Sequence, residues 1–273
     1  MLSLEFIKLI VPVAVSVLAL GGCAVGNAEN AENNAASFDA AVTESDAVNE
    51  NENYKRPGEM YVNFENGEND IFEISDGWTN GSMFNVTWRR DNCTFENEKM
   101  QLIIDNDKTP EGGIPYSGGE YRTKDFYGYG RYEVSMKPIK NDGVVSSFFT
   151  YTGPSDGNEW HEIDIEFLGK DTTKVQFNYF TDGVGEHEYL YDLGFDAAEG
   201  FHVYGFDWRE DGITWLVDGV EVYTANESVP FIDGKIMMNA WCGTGVDGWL
   251  NAFEDSNVPL TAEYEWVKFT AEG

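Results

Sequence analysis

A chain of 273 residues with 49 Asp and Glu against 17 Lys and Arg carries a formal charge of 17 − 49 = −32. Such a surface repels polyanions, which disfavours nucleic acid and anionic membranes as partners and suits a neutral ligand. Aromatic residues make up 15%, with eight Trp, a surplus expected where flat apolar faces such as sugar rings are gripped.

The N-terminus reads as a targeting segment. From Phe6 to Ala19 the sequence FIKLIVPVAVSVLA is apolar apart from Lys8 and Ser16, and it is short for a membrane span. Leu20-Gly21-Gly22-Cys23 follows and resembles the bacterial lipoprotein cleavage box, in which the Cys is lipidated. Export is therefore expected, either as a cell-surface lipoprotein anchored through Cys23 or, after cleavage near Ala28, as a secreted protein. Residues 24–54 hold seven acids, no base and few apolar residues, a composition that cannot recover its ordering entropy and reads as an acidic disordered linker. The folded domain is expected over residues 55–273, acting as a monomer. With Cys23 set aside, Cys93 and Cys242 remain, and their spacing does not decide whether they pair. The scattered His161, His187 and His202 give no metal-ligand spacing.

Beyond residue 54 the pattern is strands and turns. Asp-Gly or Asn-Gly pairs recur, among them 66–67, 142–143, 182–183 and 218–219, and such pairs favour the positive φ of hairpin turns. Between them lie short alternating or β-branched runs: GYGRYEVSMKP (128–138), VVSSFFTYT (144–152), EIDIEFL (162–168), KVQFNYF (174–180) and FHVYGFDW (201–208). GITWLVDGVEVYTA (212–225) reads as a hairpin around Asp218-Gly219. The class is all-β, a sandwich of two antiparallel sheets. GTGVDG (243–248) matches a nucleotide-loop pattern but lacks the strand-turn-helix context, and reads as a Gly-rich loop.

Residues 161–167, HEIDIEF, carry the chemistry. On a strand Glu162, Asp164 and Glu166 share one face while Ile163, Ile165 and Phe167 share the other. Four strand residues separate the two Glu α-carbons by about 13 Å. Leaning side chains can bring the carboxyls toward the roughly 5–5.5 Å of a retaining glycosidase. One glutamate would then attack the anomeric carbon while the other protonates the leaving oxygen. Asp164 between them is expected to act as a like charge that raises its neighbours' pKa values. The bland alternative is three acids on a solvated strand face, and like charges crowded there are destabilising.

From about residue 58 to 273 the chain resembles bacterial lichenases, the endo-β-1,3-1,4-glucanases of glycoside hydrolase family 16. The resemblance rests on GYGRYEVSMKP (128–138), VVSSFFTYTGP (144–154), EIDIEFLGKDTTKVQFNY (162–179), GFHVYGFDW (200–208), KIMMN (235–239), GTGVDGW (243–249) and AEYEWVK (262–268). It implies a β-jelly-roll with a substrate cleft on the concave sheet, a mixed-linkage β-glucan substrate, and no cofactor for catalysis. It assigns Glu162 as nucleophile, Glu166 as general acid/base and Asp164 as the assisting carboxylate. Related laminarinases, which cleave β-1,3-glucan, carry an extra residue in this strand, reading EIDIME; the uninterrupted EIDIE here favours the lichenase branch. A β-1,3-glucanase and a non-catalytic carbohydrate-binding jelly roll are the alternatives.

The same resemblance places Trp78, Asn80, Phe149, Asn178, Asn239, Trp241 and Trp249 at cleft positions. Trp160 resembles a sugar-stacking residue, and Glu120 with Arg122 a polar pair that touches substrate hydroxyls. Trp88, Trp208, Trp215 and Trp266 are read as core. The departures are His161, where the family often has Asp, and Phe180, which replaces a Tyr and would remove a hydroxyl contact. Val86 and Gly118 stand at the positions of a disulfide found in many relatives. A structural calcium is implied partly through the backbone carbonyl of Glu265.

Overall fold

The computed structural model describes residues 53–56, 58–110 and 112–273. The expected signal segment, Cys23 and the linker up to residue 52 lie outside the described residues. Seventeen strands follow in chain order. The first group is β1 (Tyr54–Arg56), β2 (Glu59–Asn63), β3 (Phe72–Ile74), β4 (Val86–Trp88), β5 (Cys93–Glu96) and β6 (Lys99–Asn106). Then come β7 (Tyr116–Thr123), β8 (Gly130–Lys137), β9 (Val144–Thr152), β10 (His161–Leu168), β11 (Lys174–Phe180) and β12 (Tyr189–Asp192). The last are β13 (His202–Arg209), β14 (Gly212–Val217), β15 (Val220–Ala225), β16 (Lys235–Cys242) and β17 (Leu260–Ala271), with one helical turn, α1 (Asp247–Leu250), before β17. The linker was expected to include residue 54, yet Tyr54 opens β1 and pairs with Tyr61. Asn53 also accepts from the Asn63 amide at 2.7 Å. Pairing with β2 thus orders two residues that composition alone assigned to the tether.

The strands form two layers. One sheet runs β3-β7-β16-β9-β10-β11-β12. The other runs β1-β2-β17-β8-β13-β14-β15, with β6 and β5 continuing from the first half of β17. These pairings are antiparallel; β4 alongside β7 is parallel, so the antiparallel expectation fails there. At the tip of the β14–β15 hairpin, Asp218 and Gly219 have φ of 49° and 77°, the left-handed pair that a two-residue hairpin turn requires.

Alternation in β10 assigns its two faces. Ile163, Ile165 and Phe167 are fully buried between the sheets, where Phe167 meets Tyr204 edge-on at 4.8 Å. Phe177 of β11 stacks on Trp215 of β14 at 5.5 Å. The Trp215 indole also donates to the Asp164 carbonyl at 3.0 Å, tying the outer sheet to the strand that carries the acids. Trp88, Trp208 and Trp215 are core as expected. Trp266 is not: it is half-buried and packs on Tyr61 at 6.1 Å. Val267, its neighbour in the alternation, takes the inward position instead. Val86 and Gly118 do adjoin, since a Cβ built on Gly118 would lie 3.1 Å from Val86 Cγ2. Cys93 and Cys242 are both buried free thiols.

Candidate active site

A cleft of about 980 Å³ lies over the first sheet, and ladder register decides which side chains share its floor. Opposite Glu162 stand Tyr151 of β9 and Phe180 of β11; opposite Asp164, Phe149 and Asn178; opposite Glu166, Ser147 and Gln176. The rows continue onto β16 with Lys235, Met237 and Asn239, and onto β7 with Arg122 and Glu120. Because residues directly opposite in a ladder point to the same face, the three acids of β10 sit in the middle of a polar and aromatic floor. The solvated-face reading does not hold: Asp164 is 4% exposed, and Glu162 and Glu166 are half-buried beneath the cleft.

Each acid has its own partner. The Trp160 indole N–H donates to Glu162 Oε2 at 2.5 Å. Gln176 Nε2 donates to Glu166 Oε2 at 2.8 Å, and Gln176 is itself held by the Trp249 indole at 3.1 Å. Burial pushes Glu166 up to about 8; the charge of Glu162 adds to this and the Gln176 contact opposes it. Burial lifts Glu162 to about 7, against the lowering effect of hydrogen bonds from Trp160 and Asp164. Asp164 is driven well above the usual carboxylate range by burial and then by the charges of Glu162 and Glu166. This reverses part of the expectation for Asp164. Its hydrogen-bonding contact lowers Glu162 rather than raising it, the opposite of what a like charge would do. A dry site between two carboxylates makes the middle acid the easiest to keep neutral.

Replacing Gln176 by Met keeps the bulk but removes the contact that favours ionised Glu166. The expected result is an upward move of the alkaline limb of the pH–rate profile, read from kcat/KM between pH 6 and 10.

The polar residues beside the acids are engaged with one another. Glu120 is 1% exposed and accepts from Ser75 (2.6 Å), Asn80 (3.1 Å) and Asn239 (3.2 Å). Ser147 donates to Asn239 Oδ1 at 2.6 Å, and the Trp88 indole to Asn80 Oδ1 at 2.9 Å. Glu120 and Arg122, expected to touch substrate hydroxyls as a pair, are thus each engaged by protein partners. Alternation along β7 puts both on the cleft face, but Glu120 anchors an internal network. Arg122 Nε lies 3.0 Å from Glu73 Oε1, and its guanidinium sits 5.0 Å from the ring of Trp78. Asn178 lines the cleft at 5% exposure, and its Oδ1 has no protein partner. Trp160 lies flat on Phe180 at 4.3 Å and 12°, so Phe180 supplies a stacking face where a hydroxyl was expected to be lost. Trp241 packs on Phe84 at 4.1 Å, and α1 carries Trp249 to the cleft wall.

The sequence profile of Glycosyl hydrolases family 16 matches residues 80–268. The chain belongs to this family. A Beta-glucanase of Paenibacillus polymyxa is 58% identical over 201 residues, covering 73% of this chain and 82% of that one. A Xylanase/beta-glucanase of Ruminococcus flavefaciens is 56% identical over 218 residues, covering 78% of this chain; the chain spans only 27% of that protein's length. Among solved structures, a prokaryotic beta-1,3-1,4-glucanase (lichenase) derived from a mouse hindgut metagenome is 53% identical, with a TM-score of 0.76. That likeness covers 78% of this chain and 99% of that one.

Family membership and geometry meet on β10. Gln176, Glu188, Tyr151 and Ser147 also line the cleft, and none of them was singled out from sequence. The alternation of Gln176, Asn178 and Phe180 against buried Val175, Phe177 and Tyr179 was the available signal for the first. Among the described residues no group of three or more His, Cys, Asp or Glu is placed to hold a metal. Glu265 lies where β17 shifts register between Tyr264 and Trp266. Its carboxylate accepts from Ser135 at 2.6 Å.

Proposed function

We propose that the chain is an endo-acting β-1,3-1,4-glucanase that hydrolyses β-1,4 bonds next to β-1,3-linked glucose in mixed-linkage β-glucan. The observation that carries this is the β10 strand: it pairs with β9 and β11 without a register shift, so Glu162, Asp164 and Glu166 stay on one face over a cleft built for neutral rings. A bulge, the expected mark of the laminarinase branch, is absent from both ladders. The similarity to beta-glucanases and to a lichenase structure supports the same reading.

The chemistry is a retaining double displacement. Ionised Glu162 attacks the anomeric carbon as the bond to the leaving oxygen breaks, and Glu166 gives that oxygen its proton. A glucosyl ester on Glu162 results. Glu166, now ionised, takes a proton from water; the water oxygen attacks the same carbon and the ester breaks, which restores both glutamates and the original anomeric configuration. Aromatic faces and the amide side chains that line the cleft suit a ring with apolar faces and equatorial hydroxyls. Parallel digests of barley β-glucan, lichenan, laminarin and carboxymethylcellulose, with linkage analysis of the products, test the proposal. Cleavage of the first two is expected. Hydrolysis of laminarin with none of lichenan rejects it.

Export, lipidation of Cys23 and action as a monomer belong to the same proposal, supported by the apolar run ahead of Leu20-Gly21-Gly22-Cys23 and the acidic surface. Globomycin-sensitive processing is the expected result, whereas an unmodified mature N-terminus near Ala28 rejects the anchor. A structural calcium at the Glu265 carbonyl is supported by the irregularity in β17 alone. Removal of a bound ion withdraws stabilisation from the folded state, so chelation should lower Tm by several degrees; an unchanged Tm rejects the ion.

A further inference from the structure

We infer that His161 is a positioning residue: through Asp182 it clamps the Thr181–Val184 turn to the start of β10, and so fixes the Trp160 indole that orients the Glu162 carboxylate. The inference rests on the proposed role of Glu162.

His161 opens β10 on the face opposite Glu162. It is 2% exposed, with its ring edge-on to Phe231 at 4.5 Å. Nε2 lies 3.1 Å from Asp182 Oδ1, while Nδ1 is buried without a partner. A residue kept only for bulk would not bring an unsatisfied polar atom into this layer, because such atoms are costly to bury. The one polar contact of the ring therefore has a purpose, and it is made to a turn.

That turn is built around Asp182, whose φ is +52°. Thr181 and Val184 exchange backbone hydrogen bonds of 3.0 and 2.9 Å, and the Gly183 amide donates to the Trp160 carbonyl at 2.8 Å. Two consecutive residues, Trp160 by its backbone and His161 by its side chain, thus grip the same turn. Phe180 immediately precedes the turn and stacks on the Trp160 indole. The indole is held from below by Phe180 and from behind by its own backbone, with its N–H aimed at Glu162 Oε2. Slackening the turn frees both supports at once, and catalysis is sensitive to sub-ångström placement of a reacting group.

The test compares His161→Ala, His161→Gln and Asp182→Ala by steady-state kinetics on barley β-glucan. Asp182→Ala removes a half-exposed carboxylate and leaves the buried ring in place. Because Ala is disfavoured at the +52° φ of this position, Asp182→Gly, which removes the same carboxylate without that strain, is measured beside it and should show the same loss. His161→Ala and Asp182→Ala should each lose on the order of tenfold in kcat, with KM within about twofold. The acid limb of kcat/KM, set by Glu162 facing Trp160, Asp164 and the charge of Glu120, should move upward. His161→Gln, which retains a donor, should recover most of the loss. Wild-type kcat and acid limb in a folded Asp182→Ala variant overturn the inference. So does an activity loss that only parallels the folded fraction. Failure of the nucleophile assignment shows separately, as a Glu162→Ala variant from which azide yields no α-glucosyl azide.

Discussion

Glu162→Gln is expected to lose about 10⁴-fold or more in kcat on barley β-glucan, since an amide cannot attack the anomeric carbon and the residual rate comes from binding and positioning alone. The substitution preserves size and leaves the cleft rows of β9, β10 and β11 in register, so circular dichroism should match wild type, and Tm near pH 5 should stay close to it. Glu162→Ala opens space where the nucleophile stood. A small anion such as azide can then attack from the same side, and with an activated aryl glycoside the product is the α-glucosyl azide. NMR of that product assigns the nucleophile, because azide rescue of the acid/base position gives the β-anomer instead. A Glu162→Gln variant that turns over glucan at the wild-type rate removes the basis for the double displacement.

The triad was legible because strand alternation is a local property: Glu162, Asp164 and Glu166 needed only period two to share a face. The fold class was legible for the same reason, from short alternating runs between Asp-Gly and Asn-Gly pairs. What was not legible depends on register. Gln176 reaches Glu166 because β10 and β11 pair Glu166 with Gln176, and nothing in either strand alone announces that pairing. Glu120 and Arg122 read as a polar pair for substrate hydroxyls, and nothing in β7 alone shows that each is already engaged by protein. The neighbouring strands supply Asn239 and Ser75 to the one and Glu73 to the other. The role of Asp164 was inverted for another reason. Counting charges treats every acid as ionised, whereas burial decides which of three close carboxyls remains neutral. Trp266 was assigned to the core on residue type, and the alternation of β17 places it outside.

The uninterrupted strand and the outer sheet are linked by a contact that sequence could not show. The Trp215 indole reaches across the core to the Asp164 carbonyl, so the backbone at the centre of the triad is fixed by a residue from the opposite layer. The Gly-rich stretch 243–248 gains its role in the same way. It leads into α1, and α1 delivers Trp249 to Gln176 and through it to Glu166.

The second large expectation concerns pH. Glu162 and Glu166 have an ordinary value of 4.5 but are lifted to about 7 and about 8 in the folded protein. Between these limits the folded chain holds protons that the unfolded chain has released, so stability falls as pH rises. The loss begins above the unfolded value and is complete above about 8. Both side chains keep partial contact with solvent in the cleft, which moderates the penalty, and on the order of 1–3 kcal/mol is expected between pH 5 and 9. Asp107, Asp171, Asp196 and Glu254 are lowered by their partners; their contribution is already present above the unfolded carboxylate values and does not offset the loss. Glu166→Gln removes one of the lifted acids, a group that also includes Asp164 and Glu120. It should show a shallower decline and exceed wild type in stability at pH 9, while losing about 10³-fold on glucan for want of a proton donor. With a good aryl leaving group its first step survives, and the glucosyl ester on Glu162 should accumulate as a mass increment. Urea melts of both proteins at pH 5, 7 and 9 check the stability claim, and a parallel decline in the two removes Glu166 as its source. In the wild type kcat/KM should be bell-shaped with its maximum between about 7 and about 8, the two limbs belonging to the coupled cluster rather than to single residues. The ionisation that makes Glu162 a nucleophile is therefore the same event that weakens the fold beneath it.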